Sequence, residues 1–181
     1  TQTNAGTAAM ALTADQFANT SSNFKTVTFT VTDGWQKIEP IDATVTITGN
    51  VSNVKYDGKE HTVIGCKAVA DTGLYSVLKD FTFSGSATVS ATDAGTVKMG
   101  LAADQFANIN PNFRTVTFNV TDGYIEIAPI DVTVTVTGNT ATANYDGKAH
   151  TVTGYTAACD ITLYDVAKAV SFSGSATASN A

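Results

Sequence analysis

The chain is poor in charge, cysteine, histidine, proline and tryptophan. Only 14% of its 181 residues are charged, and it holds two cysteines, two histidines, three prolines and one tryptophan. Each shortage excludes something. Ten Lys and Arg against sixteen Asp and Glu leave a net charge of −6, which argues against nucleic acid or an anionic membrane as a partner. No apolar run approaches the roughly 20 residues of a membrane span, so no membrane insertion is expected. His61 and His150 have no second His or Cys at ligand spacing, so no metal and no cofactor is expected. A hydrophobic content of 43% excludes a disordered tail. Threonine is the commonest residue, near one in six, and it suits the solvent face of a strand.

What the chain does have is a copy of itself. Asp15-Gln16-Phe17-Ala18-Asn19 returns 89 positions later as Asp104-Gln105-Phe106-Ala107-Asn108, and Tyr56-Asp57-Gly58-Lys59 returns as Tyr145-Asp146-Gly147-Lys148. The register holds without a gap from Gly6/Gly95 to Gly85/Gly174. A repeat of this kind decides what the other residues can mean. Cys66 aligns with Tyr155, and Cys159 with Ala70. A structural disulfide in a duplicated unit would itself be duplicated, so two free thiols are expected.

The period-2 alternation of Val27, Phe29 and Val31 with Thr26, Thr28, Thr30 and Thr32 predicts a half-buried strand. Asp33-Gly34 follows, and a two-residue hairpin is expected there, its copy at Asp122-Gly123. In that register Phe29 faces Ile38, and the apolar face is Val27, Phe29, Val31 and Ile38. Its second copy uses Val116, Phe118, Val120, Ile125 and Ile127. Trp35 and Tyr124 then fall on the opposite, wetter face. Further strands are expected after Pro40, at His61–Val63, at Phe81–Phe83 with its copy Val170–Phe172, and at Thr96–Leu101. Ala102–Asn108 has helix-forming residues for two turns. Six or seven short strands with at most one short helix per unit predict an all-β chain of tandem small β-sandwich (Ig-like) repeats, or β-grasp-like units.

The repeat hides its own phase. Cutting at Pro40-Ile41 and Pro129-Ile130, where proline stiffens the connection, gives a complete repeat at 41–129. Residues 1–40 are then the C-terminal half of a repeat and 130–181 the N-terminal half. Cutting in the small-residue run Ser86–Gly95 gives whole units at 1–89 and 90–178 instead. The proline cut is the expectation taken here. A chain that begins and ends within a repeat reads as an excerpt, so a missing leader or anchor carries no weight. Each half would expose unpaired strand edges. Self-association head to tail, with 130–181 of one molecule completing 1–40 of the next, is expected from that phase.

Tyr-Asp-Gly-Lys followed by His-Thr-Val at 56–63, with its copy at 145–152, resembles the YDG-type repeats of bacterial surface proteins. The run from Asp93-Ala94-Gly95-Thr96 through Asn112-Phe113 and Asp122-Gly123 to Ile127-Ala128-Pro129 resembles the neighbouring MBG-type pattern. Val97 stands where that pattern often has Tyr. The resemblance covers nearly the whole chain. It implies an extracellular, cell-wall-attached protein of Gram-positive bacteria, in which such repeats form stalks behind an adhesive tip. It carries no catalytic residues to transfer.

The residues themselves offer little chemistry. No serine sits in a Gly-x-Ser-x-Gly elbow, no calcium-loop pattern accompanies the Asp-Gly pairs, and the repeated aspartates lie beside turns or caps, where Asp belongs. The sequons at Asn19, Asn50 and Asn119 are expected by chance in a Thr-rich strand protein. An enzyme is not expected. The expected function is a structural spacer whose partners are neighbouring repeats of the same protein. The alternative is a module binding host glycan or mucin by avidity, in which Trp35 and Tyr124 stack on sugar or on an adjacent domain.

Overall fold

The computed structural model describes residues 1–180. The fold is all-β, as the alternation and turn spacing predict. In chain order the strands are β1 (Gly6–Ala9), β2 (Trp35–Ile38), β3 (Ile41–Gly49), β4 (Val51–Lys55), β5 (His61–Ile64), β6 (Cys66–Ala70), β7 (Phe81–Phe83), β8 (Thr88–Ala91) and β9 (Gly95–Lys98). They continue as β10 (Phe106–Asn108), β11 (Phe113–Thr121), β12 (Tyr124–Ala128), β13 (Val134–Gly138), β14 (His150–Thr153), β15 (Tyr155–Cys159) and β16 (Thr177–Asn180). One four-residue helix, α1 (Val166–Ala169), and 3-10 turns at Ala14–Gln16 and Ala103–Gln105 complete the elements. The strands form small sheets with the orders β1-β2, β10-β7, β11-β3-β6, β4-β12-β9, β13-β15, β14-β16 and β5-β8.

The chain divides into two compact units. The first holds residues 1–51, 63–89 and 98–124. Its centre is β3, which pairs in parallel with β11 and antiparallel with β6. Alternation explains the burial. Ala43, Val45 and Ile47 are buried on β3, and Val116, Phe118 and Val120 face the same core from β11, leaving Thr115, Thr117 and Asn119 exposed. The β7-β10 ribbon adds aromatics. Phe106 stacks on Phe83 (centroids 4.7 Å) and on Phe118 (5.6 Å), and Tyr75 meets Phe113 edge-on at 4.9 Å. Pairing shifts register between Phe113 and Val116. This bulge lets Arg114 grip Asp42 with two bonds of 2.6 and 3.1 Å, while Thr115 N donates to the same carboxylate at 3.1 Å.

The second unit holds residues 52–62, 90–97 and 125–181. Ile125 and Ile127 of β12 are buried in it. β13 pairs with β15 and β14 with β16, both antiparallel.

Three expectations are corrected. Asp122-Gly123 is not a hairpin: β11 and β12 do not pair with each other, and each takes its partners elsewhere, β11 on β3 and β12 between β4 and β9. Ala102–Asn108 gives one 3-10 turn and then strand β10, because Phe106 is more stable in the aromatic core than on a two-turn helix with little apolar face. Residues 26–32 and 170–172 are not strands, although their copies 115–121 and 81–83 are. Strand propensity needs a partner edge, and these segments have none in the structure.

Candidate functional site

Several polar residues that occur in both copies bond the backbone. Asp122 accepts bonds from Gly100 N (3.0 Å) and Leu101 N (2.8 Å), and its copy Asp33 accepts from Ala11 N (3.1 Å) and Leu12 N (2.9 Å). The Asp-Gly pair therefore clamps a neighbouring loop across 21 or 22 residues instead of turning a hairpin. Gln105 accepts from Ala102 N and donates to Gly100 O, both 3.0 Å, as Gln16 does with Thr13 and Ala11. Asn108 donates to Asn110 O and Phe113 O, as Asn19 does to Ser21 O and Phe24 O. Asn50 holds Ile64 O at 2.8 Å, and Asn139 holds Thr153 O at 2.9 Å.

The Tyr-Asp-Gly turn follows the same rule. Asp57 accepts from Lys59 N at 3.0 Å and from His61 Nε2 at 2.8 Å, and Gly58 takes the left-handed conformation (φ +74°) that the turn needs. Asp146 and His150 repeat the arrangement at 2.9 Å. The His61 bond holds the Asp57 carboxyl below its usual value. Both histidines are thus turn braces. No group of three His, Cys, Asp or Glu suited to a metal occurs among the described residues. Cys66 and Cys159 are free thiols.

Trp35 and Tyr124, the sequence-predicted aromatics, behave differently. Trp35 opens β2 opposite Ala9 and is 66% exposed. Tyr124 opens β12, donates its backbone N–H to Asn50 O at 3.2 Å and is half-buried. The structure does not bring the two together in one site.

The feature that alternation could not reveal is how unevenly the copies are covered. Ile47 is fully buried, whereas its copy Val136 is 56% exposed. Phe106 and Phe113 are 6% and 5% exposed, whereas their copies Phe17 and Phe24 are 43% and 63% exposed. On 130–181 the uncovered face forms open clefts. One, lined by Val136, Val152, Tyr155, Phe172 and Ala178, has a volume of about 370 Å³. A second, more polar cleft beside Tyr145, His150 and Asn180 has about 510 Å³. Unpartnered apolar faces of this kind mark interaction surfaces.

These features define the class: an all-β protein with an 89-residue internal repeat whose two copies are unequally covered. Compared with protein-family models, curated proteins and solved structures, the chain matches none.

Proposed function

We propose that this chain is a structural repeat segment, a stalk or spacer of a secreted, cell-wall-attached bacterial surface protein. In this reading 41–129 is a whole repeat flanked by a C-terminal half (1–40) and an N-terminal half (130–181). One observation carries it. Five pairs of polar side chains preserved between the copies (Asp33/Asp122, Gln16/Gln105, Asn19/Asn108, Asn50/Asn139 and Asp57/Asp146) are engaged with backbone at matching positions. Duplication has therefore preserved a scaffold, and a scaffold is what a spacer needs. The resemblance to surface repeats supplies the cellular setting.

The exposed Trp35 favours a second reading, a glycan-binding module, because a sugar ring stacks on a bare indole. A glycan array with the full chain and its Trp35→Ala variant separates the two. No saturable binding is expected from a spacer; binding that the variant loses would replace this reading with the second. Antibody raised against the chain should label intact cells of the source bacterium, and labelling only after lysis would remove the surface assignment.

A further inference from the structure

We propose that residues 130–181 of one molecule and residues 1–40 of a second copy of this chain fold together into one shared repeat, joining molecules head to tail. The first observation is which pairings survive in the flanking segments. β13-β15 has the register of β3-β6 moved by 89 residues: Val45↔Ala70 becomes Val134↔Cys159, and Gly49↔Cys66 becomes Gly138↔Tyr155. β14-β16 repeats β5-β8, and β1-β2 repeats β9-β12. The pairings with no counterpart are β11-β3, β10-β7 and β4-β12. Each of those joins a strand from the first half of 41–129 to one from its second half. Their copies lie on separate flanks, at 24–32 with 130–138, 17–19 with 170–172, and 35–39 with 140–144. All of these except β2 and β13 are irregular. The flanks lack what the other flank of a second copy carries.

The second observation is chemical fit. Moving the β3-β11 register by 89 residues sets Val27 against Val132, Phe29 against Val134 and Val31 against Val136. Phe17, Phe24 and Phe29 would fill the clefts at Val136 and Tyr155, as Phe106, Phe113 and Phe118 fill the core around Ile47. The Arg114–Asp42 ion pair becomes Lys25–Asp131, with opposite charge kept. Trp35 N would donate to Asn139 O, as Tyr124 N does to Asn50 O.

The third observation is a steric key. A Cβ on Gly49 would strike Gly123 N, and a Cβ on Gly123 would lie 2.5 Å from Asn50 O. Their copies, Gly138 and Gly34, meet no backbone in this way: Gly138 has nothing within 4 Å, and Gly34 faces only the flexible Met10 side chain. Glycine is required at these sites only when the missing half is present. Gly138→Ala and Gly34→Ala therefore leave the molecule folded and block one end each.

Sedimentation velocity across a concentration series tests this on the full chain. The parent should grow into linear oligomers as concentration rises. Gly138→Ala and Gly34→Ala should each weaken association about tenfold or more. An equimolar mixture of the two should stop at dimers, because only one joint is open. In the parent, amides 26–32 should gain exchange protection with concentration, and Trp35 emission should shift to the blue. A parent that stays monomeric, protection of 26–32 that is independent of concentration (closure within one molecule), or association that both variants retain alone would each overturn the proposal.

Discussion

Gly49 and Gly123 run past each other so closely that neither has room for a side chain: a Cβ on Gly123 would lie 3.0 Å from Gly49 C. The neighbours are backbone atoms, which cannot swing away. Gly123→Ala or Gly49→Ala should destabilise the fold by about 1–3 kcal/mol, the range for overpacking. Gly138→Ala, at the copy of Gly49, should be neutral in the monomer. Urea midpoints of the three variants check this.

Asp122 supplies the acceptors for two backbone N–H groups, those of Gly100 and the buried Leu101. Asp122→Ala leaves both without that partner, at an expected cost of about 1–3 kcal/mol. Asp33→Ala removes the same two bonds from an exposed loop, where water replaces them. Its effect on opening of the core around β3, followed by exchange at β3 amides, should be small.

Phe106 and Phe17 stand in the same five-residue sequence, yet only Phe106 is buried. Phe106→Ala should cost about 3–5 kcal/mol, and Phe17→Ala less than about 1 kcal/mol in the monomer. Calorimetry of both variants at a concentration too low for association makes the comparison.

Acid should destabilise the fold. The Arg114 bond holds the Asp42 carboxyl below its ordinary 3.8, and the Ser76 backbone N–H, with its 2.7 Å bond, does the same for Asp80. Asp57, Asp160 and Asp165 are shifted the same way, mainly by bonds from His61, Thr133 N and Lys168. On lowering the pH the unfolded chain takes up these protons first. The contribution is therefore full above about 3.8 and fades as pH falls through the lower folded values. Urea midpoints should fall across that window, and Asp80→Asn should flatten part of the slope.

Much of the local structure was legible. The alternation of Val116, Phe118 and Val120 with Thr and Asn placed β11 and its buried face, and the Tyr-Asp-Gly turn followed from side-chain acceptors and a glycine with positive φ. The Asp-Gly pair at 122–123 misled, because its hairpin preference is local while the partners of β11 and β12 are not. The candidate aromatics show the same limit. Trp35 and Tyr124 are equivalent by sequence, but Tyr124 is half-buried and Trp35 is exposed.

By itself the sequence determined the all-β class, the 89-residue period, the alternating faces and the acceptors that hold the turns. These depend on plain self-comparison or on residues within a few positions of one another, as in the Asp57 and Asp146 turns. Only the tertiary structure decided which copy of each apolar residue is buried. Ile47 and Val136, or Phe113 and Phe24, carry nearly the same side chains in nearly the same local sequence. Their burial depends on pairing with a segment about 70 residues away: β3 (from 41) and β11 (from 113) pair, whereas their copies at 130–138 and 24–32 do not. A strand edge and an apolar face take their stability from that distant partner, and no local pattern records its presence.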